Sequence, residues 1–205
     1  MLNELNWKKE GGLLPAIVQN ADTEQVLMLG YMNEAALAET VRTKRVTFFS
    51  RSRNRLWTKG ETSGHFLNLV SFSADCDGDA ILLRAKPTGP TCHRLTASCF
   101  SEEAAPGIGF ISHLEELIDR RYRDRPAGSY TTTLFEAGID RIVQKVGEES
   151  VEVVIAAKNP DRTALKDEAA DLLYHLMVLL RQKQIPFGDV VDVLRRRHQN
   201  GTKVV

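Results

Sequence analysis

Three cysteines lie in the first half of the chain, and two of them stand in motifs that suit metal binding. Cys76 is embedded in the run Asp75-Cys76-Asp77-Gly78-Asp79, and Cys92 is followed directly by His93. Carboxylates supply hard oxygen ligands and a thiolate supplies a soft one, so this mixture favours a bound dication. Because three is an odd number, the cysteines cannot all form disulfides within one chain. The pattern therefore predicts metal chemistry.

Each residue type has a simpler explanation when it is taken alone. A free cysteine is most often a small buried hydrophobe, and acidic turns are common on protein surfaces. The interleaving of Cys76 with aspartates is what strengthens the prediction. Cys92 precedes Cys99 by seven residues and follows Cys76 by sixteen. Such a trio fits either an open catalytic zinc site or a structural zinc module that His93 closes as the fourth ligand.

Four carboxylates in the second half of the chain are spaced for another metal site. Glu149 and Glu152 are three residues apart, as are Glu168 and Asp171, so each pair shares one face of a helix. Apolar residues on or beside those faces turn the acids towards the interior or rim of a helical bundle. Crowded carboxylates repel one another and lose hydration unless cations neutralise them. The spacing predicts a Mg²⁺ cluster that binds a nucleoside triphosphate and orients water for attack on phosphorus.

Two further residues flank this cluster. Lys145 lies one helical turn before Glu149 and fits either a phosphate contact or an ordinary exposed lysine. His175 follows Asp171 by four residues and shares its face, and we expect it to make a structural hydrogen bond.

A basic, hydroxyl-rich segment over residues 50–64 separates two predicted strands. Its composition fits a solvated hairpin tip. It also fits a cradle for an anionic ligand, because arginine forks and hydroxyl groups match phosphate oxygens and a tryptophan can pack beside a base. The candidate substrate-binding residues are Arg51, Arg53, Trp57, Lys59 and Ser63.

The elements that must position these residues differ between the two halves. Alternating or apolar runs predict five strands, over 15–20, 25–32, 46–50, 66–74 and 80–85. The first two should form a hairpin, and Asn33 is expected to cap a helix over 34–43. The acidic turn falls between the last two strands, where its side chains can converge.

After residue 107 the pattern is helical nearly throughout. Helices are predicted over about 111–125, from Ser129 to about Lys158, from Asp161 to about Gln184 and over about 187–198. The segment Ser101–Gly107 is the predicted linker. We therefore predict two domains, an α+β, mostly β domain over 1–107 and an all-α helical bundle over 108–205.

The overall composition argues against two classes of partner. Lys and Arg total 27 and Asp and Glu total 27, so the formal charge is zero and no general affinity for nucleic acid is expected. No apolar run approaches the roughly 20 residues of a membrane span, and the N-terminus lacks the apolar core of a signal peptide. We therefore expect a cytoplasmic protein, in which thiols stay reduced and can bind metal.

The motifs of both halves resemble known enzyme families. The first half is similar to phosphoribosyl-AMP cyclohydrolase through Gly30–Glu34, Phe49–Arg53, Leu56–Gly64, Asp75–Asp79, Gly89–His93 and Ser98–Phe100. The second half is similar to phosphoribosyl-ATP diphosphatase, an all-α nucleotide pyrophosphohydrolase, through Ser129–Thr131, Gln144–Glu152 and Glu168–His175. Together they resemble the bifunctional enzymes of histidine biosynthesis over nearly the whole chain.

The resemblance implies two consecutive hydrolyses. The second domain would convert phosphoribosyl-ATP to phosphoribosyl-AMP and pyrophosphate, with Mg²⁺ held by Glu149, Glu152, Glu168 and Asp171. We also assign Glu149 and Glu152 to catalysis. The first domain would open the purine ring between N1 and C6 by using a water molecule whose pKa zinc lowers from about 15.7 to about 7.

The same resemblance implies how the first domain holds its metals. Cys76 would reach the zinc ion from one subunit and Cys92 and Cys99 from the other, which implies a homodimer as the active unit. The aspartates of the acidic turn would bind Mg²⁺, and they are Asp75, Asp77 and Asp79.

The three residues that follow Cys92 complete the expectation. His93 is our candidate for proton transfer, since an unperturbed pKa of about 6.5 suits that work. The family commonly has a glycine shortly after the Cys-His pair, where this chain has Arg94-Leu95. The conformation of that loop, though not the set of metal ligands, is therefore expected to be affected.

The main alternative is a structural zinc module fused to a general Mg²⁺-dependent nucleoside triphosphate pyrophosphatase. A zinc base deaminase is less consistent with the sequence, because the His-x-Glu and Pro-Cys-x-x-Cys elements of that class are absent.

Overall fold

The structure is a computed structural model that describes residues 5–9, 11–101, 105 and 107–199. The chain divides into two compact units, Met1–His113 and Leu114–Val205. The predicted linker falls partly on residues 102–104 and 106, which lie outside the described residues. The boundary expected between residues 107 and 108 stays a prediction.

The first unit contains the β-strands and helix α1. The strands are β1 (Leu14–Asn20), β2 (Val26–Met32), β3 (Thr47–Ser50), β4 (Arg55–Thr58), β5 (Leu67–Ala74) and β6 (Ile81–Pro87), and α1 is Glu34–Thr43. Four strands form a sheet in the order β2-β1-β6-β5, in which β1 is parallel to β6 and the other neighbours are antiparallel. Strands β3 and β4 form a separate antiparallel pair.

Local sequence signals explain the β1–β2 hairpin and helix α1, and both predictions are confirmed. Leu14, Ala16 and Val18 of β1 are fully buried, as the two-residue period of a half-buried strand requires. The Oδ1 atom of Asn33 accepts a hydrogen bond of 2.8 Å from the backbone N–H of Ala36 and so caps α1.

Strand β4 departs from the prediction, which made residues 50–64 a hairpin tip or a ligand cradle. Phe48 and Trp57 are paired across β3 and β4, and their rings stack at 5.7 Å between centroids. Gly30 of β2 leaves the space that the Phe48 ring occupies, since a Cβ atom at that position would overlap the ring. Burial of this aromatic pair therefore favours a strand where composition alone indicates an exposed loop.

The second unit is helical. Its helices are α2 (Phe110–Asp124), which begins in the first unit after a 3₁₀ turn at Gly107–Gly109, and then α3 (Tyr130–Ala137), α4 (Ile139–Ala156), α5 (Arg162–Gln182) and α6 (Phe187–Gln199). The single helix predicted from Ser129 to about Lys158 is wrong, because Gly138 adopts φ +85° and ψ −176° and separates α3 from α4. A residue without a Cβ atom adopts this conformation without strain.

The predicted fold class is confirmed in both halves, with a mostly β first region and an all-helical second region. The helices over the described residues include none with the length and apolar character that a membrane crossing needs.

Candidate active sites

The acidic turn between β5 and β6 brings three carboxylates together. Asp75 Oδ1 accepts hydrogen bonds from the backbone N–H groups of Asp79, at 2.9 Å, and Ala80, at 3.1 Å, and these bonds close the turn. One carboxylate oxygen from each of Asp75, Asp77 and Asp79 lies within 4.8 Å of the others. Oxygen ligands at this spacing fit a hard dication such as Mg²⁺.

A lysine from the N-terminal segment lies against the same turn. Lys9 Nζ is 2.5 Å from Asp77 Oδ2 and 2.5 Å from Asp79 Oδ2. Hydrogen bonds to these two carboxylates hold the pKa of Lys9 above its usual range. The backbone N–H of Asn6 donates to Gly78 O at 2.8 Å and fixes the segment to the turn. Sequence reasoning missed Lys9, because nothing in the local pattern indicates a contact with residues so far along the chain.

Cys92 and Cys99 lie together in the segment that follows β6. The two thiol groups are close enough for each to shift the pKa of the other. The backbone of Arg94 and then the hydroxyl of Thr96 lower the pKa of Cys92, whereas burial and the neighbouring Cys92 charge raise the pKa of Cys99. The lowered pKa makes the Cys92 thiol easier to deprotonate, and the deprotonated sulfur is the form that binds zinc.

The position of Cys99 is set by strand β2. Ser98 Oγ donates to Val26 O at 2.7 Å, and the backbone N–H of Cys99 donates to Leu27 O at 2.8 Å. His93 is exposed, and its Nδ1 atom is 3.9 Å from Cys92 Sγ. The candidate proton-transfer group therefore lies beside the sulfur pair.

Cys76 lies elsewhere in the fold of one chain. It belongs to the acidic turn before the seven-residue strand β6, whereas Cys92 comes after that strand. Within the described part of a single chain, Cys76 does not join Cys92 and Cys99 in one group of ligand atoms. Sharing of the zinc ion between subunits stays a prediction.

The residues expected to bind an anion are spread over the β3–β4 region. Arg51 lies over the ring of Tyr31, with 4.0 Å from its guanidinium carbon to the ring centroid, and Arg53 is exposed at the tip. Trp57 is partly buried against the core. Ser63 Oγ accepts a hydrogen bond from the backbone N–H of His65.

Lys59 differs from the other cradle candidates because it is buried. Its ammonium group donates to His65 O at 3.3 Å, and it faces the Cys92–Cys99 pair. Burial lowers the pKa of Lys59, and the charges of the two thiols oppose this shift. The charge of Lys59 therefore interacts with the two thiol groups as well as with the loop that contains His65.

The loop after His93 contains a strained residue. Leu95 adopts φ +64° and is 72% exposed. This left-handed conformation is one that glycine adopts freely and a leucine does not. The backbone at this point therefore has a conformation that glycine would adopt more easily than leucine does.

In the second unit, α4 and α5 bring three acids together. One carboxylate oxygen from each of Glu149, Glu152 and Glu168 lies within 4.8 Å of the others. Glu149 is buried, Glu168 is intermediate and Glu152 is exposed. Asp171, the fourth expected ligand, is exposed and lies outside the group that meets this distance among the described residues.

Glu149 lies among other charged side chains. Lys145 Nζ lies 2.6 Å from Glu149 Oε1 and 2.9 Å from Glu148 Oε2. The hydrogen bond from Lys145 lowers the pKa of Glu149 against the opposing effect of burial. A hydrogen bond to Glu149 and the charge of that residue raise the pKa of Glu152. Such crowding is what a bound dication would relieve.

His175 makes the structural hydrogen bond that its position predicts. Its Nδ1 atom lies 2.8 Å from the backbone oxygen of Asp171 and 3.7 Å from Glu149 Oε1. Its Nε2 atom lies 3.0 Å from the hydroxyl of Tyr130. Tyr130 belongs to the Ser129–Thr131 motif, but the sequence does not indicate its contact with His175.

Comparisons with known proteins cover both units. The family model of phosphoribosyl-AMP cyclohydrolase matches residues 28–101, and that of phosphoribosyl-ATP pyrophosphohydrolase matches residues 111–198. Histidine biosynthesis bifunctional protein HisIE from Xylella fastidiosa is 57% identical over 97% of this chain and 95% of the relative. The proteins of the same name from Salmonella typhimurium and Bacteroides thetaiotaomicron are 53% identical over 96% of both chains and 50% identical over 98% of both chains.

Proposed function

The chain belongs to the family of bifunctional histidine-biosynthesis proteins that join a phosphoribosyl-AMP cyclohydrolase domain to a phosphoribosyl-ATP pyrophosphohydrolase domain, and on this premise we propose how its residues divide the two reactions. The helical half hydrolyses phosphoribosyl-ATP to phosphoribosyl-AMP and pyrophosphate. The mostly β half then adds water across the N1–C6 bond of the adenine ring. The product of the first site is thus the substrate of the second.

The pyrophosphohydrolase proposal rests on the convergence of Glu149, Glu152 and Glu168 on one point. These carboxylates would hold Mg²⁺, with Asp171 at the edge of the cluster, and the ion would neutralise charge on the phosphates when bound. Glu149 and Glu152 are the candidate catalytic pair, because Glu149 is paired with Lys145 and its charge raises the pKa of Glu152. Lys145 can contact a phosphate once substrate draws it away from the acids.

The cyclohydrolase proposal rests on the contact between Cys92 and Cys99. Together with Cys76 of a second subunit they would hold zinc, which when bound would lower the pKa of a water molecule to about 7. His93 lies beside Cys92 and would accept and return the proton that the ring opening moves. Asp75, Asp77 and Asp79 would hold Mg²⁺.

Substrate contacts in the first half come from the β3–β4 region. Arg51, Arg53 and Ser63 would bind the phosphate groups on the riboses. Lys59 would bind the substrate near Cys92 and Cys99. Trp57 would contact the substrate with the part of its ring that is not packed against Phe48. We place the homodimer in the cytoplasm, where reduced thiols remain free to bind metal.

Two variants separate the proposed sites. Cys76→Ala should convert phosphoribosyl-ATP to phosphoribosyl-AMP and stop there, with zinc content lowered in parallel. Glu149→Gln should leave phosphoribosyl-ATP intact and still open supplied phosphoribosyl-AMP. Both outcomes are read by chromatographic separation of the nucleotides and by elemental analysis of the purified protein.

Glu136→Gln is the matched control, because Glu136 is an exposed glutamate of α3 outside the acidic cluster. It should keep both activities. Formation of the ring-opened compound by Cys76→Ala at the wild-type rate would remove the zinc assignment. Normal release of pyrophosphate by Glu149→Gln would remove the assignment of the acidic cluster.

A further inference from the structure

Tyr130 is an aromatic residue that is anchored at its polar end and open at its ring. It is the first residue of α3, directly after the cap residue Ser129. The residue is 53% exposed, although its hydroxyl is bonded to the buried His175. Tyrosines on a surface usually leave the hydroxyl in water, so this arrangement fixes the direction of the ring.

The hydrogen bonds of His175 give the anchor a defined direction. The backbone oxygen of Asp171 can only accept, so the Nδ1 atom of His175, 2.8 Å away, carries a hydrogen and donates it. In the neutral imidazole Nε2 is then an acceptor, and the hydroxyl of Tyr130 donates to it at 3.0 Å. The main chain, the imidazole and the phenol are thus joined by an ordered series of hydrogen bonds.

This series of hydrogen bonds ends beside the acidic cluster. His175 Nδ1 lies 3.7 Å from Glu149 Oε1, so one imidazole ring separates the Tyr130 hydroxyl from a candidate metal ligand. Tyr174 supports the arrangement from the side, since its ring lies 6.3 Å from that of Tyr130 at an angle of 26°, and its hydroxyl bonds to Thr131 Oγ1 at 2.9 Å. The exposed ring is therefore held in a fixed position next to the point where phosphates would bind.

We propose that the Tyr130 ring is the platform on which the purine base of the pyrophosphohydrolase substrate stacks, and that His175 is the residue that positions it. This inference rests on the proposed function, because the substrate must present a base and a triphosphate together. The acids can engage the phosphates only through cations, whereas a flat aromatic face binds the flat face of a base directly. Tyr130 and the cluster supply the two complementary surfaces within one unit.

The test compares two inhibitors of phosphoribosyl-ATP hydrolysis, which is followed as loss of the substrate on an anion-exchange column. Adenosine monophosphate carries a base, and pyrophosphate does not. Tyr130→Leu should weaken inhibition by adenosine monophosphate by about tenfold and leave inhibition by pyrophosphate unchanged, because one stacking contact is lost. Tyr130→Phe keeps the ring but loses the bond to His175, so its effect should be smaller and in the same direction.

The helical content of each variant, from circular dichroism, verifies that the fold is retained, and light scattering reports its mass. Equal weakening of both inhibitors by Tyr130→Leu, or no weakening of either, would overturn the proposal. An altered mass with unchanged inhibition would assign the ring to a contact between copies of the chain, and this also overturns it. Failure of the wild-type protein to hydrolyse phosphoribosyl-ATP would instead refute the proposed function.

Discussion

The ammonium group of Lys9 lies 2.5 Å from the carboxylate of Asp79, in the turn whose aspartates are the proposed Mg²⁺ ligands. The same nitrogen reaches Asp77, so one side chain bridges two of the three acids. A dication that binds these oxygens must displace a cation that the chain itself supplies. We therefore expect metal binding at this turn to be coupled to displacement of the Lys9 side chain.

Replacement of Lys9 should therefore tighten metal binding. We expect Lys9→Met to raise the affinity of the turn for Mn²⁺ by about two- to fivefold, the range expected for loss of a partly exposed ion pair. Paramagnetic resonance of free Mn²⁺ measures the affinity, in a background of Glu149→Gln and Glu168→Gln that weakens the helical cluster. Lys8→Met is the control, because Lys8 is an exposed neighbouring lysine. Identical affinities for the two variants would contradict the coupling.

Zinc removal should affect one reaction only. In excess Mg²⁺, the chelator 1,10-phenanthroline should abolish ring opening and leave hydrolysis of phosphoribosyl-ATP intact, because sulfur ligands are proposed in one half and only oxygen ligands in the other. Phosphoribosyl-AMP should then accumulate on the chromatogram, and added Zn²⁺ should restore its conversion. Loss of both reactions together, or of neither, would contradict this division of metals.

Lys145 should stabilise the helical unit in a pH-dependent manner. The pKa of Glu149 is lowered in the folded protein, so this contribution is present above the ordinary glutamate pKa of 4.5 and is lost as the pH falls through the folded pKa. Lys145→Met should therefore lower the stability of the metal-free protein at pH 7 by about 1 kcal/mol, after allowance for screening by water, and by less at pH 4. Thermal melts followed at 222 nm measure both values.

Lys166→Met is the control for this measurement, since Lys166 is exposed on α5. Its melting temperature should match that of the wild type at both pH values. An equal loss of stability for Lys145→Met at pH 4 and pH 7 would mean that packing of the lysine stem, and not its charge, is responsible.

The left-handed conformation of Leu95 predicts a difference in stability between two small replacements. Leu95→Gly should be more stable than Leu95→Ala by about 1 kcal/mol, because alanine retains the steric cost of a positive φ. Both variants lose the same exposed side chain, so the comparison isolates the backbone. Urea denaturation followed by tryptophan fluorescence reports on the first unit, since Trp7 and Trp57 are the two tryptophans of the chain. A more stable alanine variant would contradict the expected strain.

Local signals in the sequence predicted much of the fold. Asn33 marks the start of α1, and alternation of apolar residues marks the β1–β2 hairpin, because capping and strand burial act over a few residues. Gly138 was not recognised as a break, since the apolar spacing on both sides is helical and one glycine within such a pattern is often tolerated. Strand β4 depends on stacking of Trp57 on Phe48, which is a tertiary contact.

The sites show the same division between local and distant information. Spacing within each helix predicted a group of four acids, and three of them, Glu149, Glu152 and Glu168, converge, whereas Asp171 lies outside the group. The contact of Lys9 with Asp79 joins residues 70 positions apart and leaves no trace in either neighbourhood. The bond between Tyr130 and His175 likewise depends on the packing of two helices that spacing within one helix cannot reveal.

Strand β6 places Cys76 before its first residue and Cys92 after its last, and seven residues of extended chain span about 20 Å. Because Cys76 does not group with Cys92 and Cys99 within the described part of one chain, zinc retention in the proposed arrangement is a property of the pair of molecules and not of each one. Dilution that separates the subunits would release the ion, as a chelator does. Ring-opening activity per molecule would then decrease as the protein is diluted, whereas pyrophosphate release per molecule need not decrease in the same way.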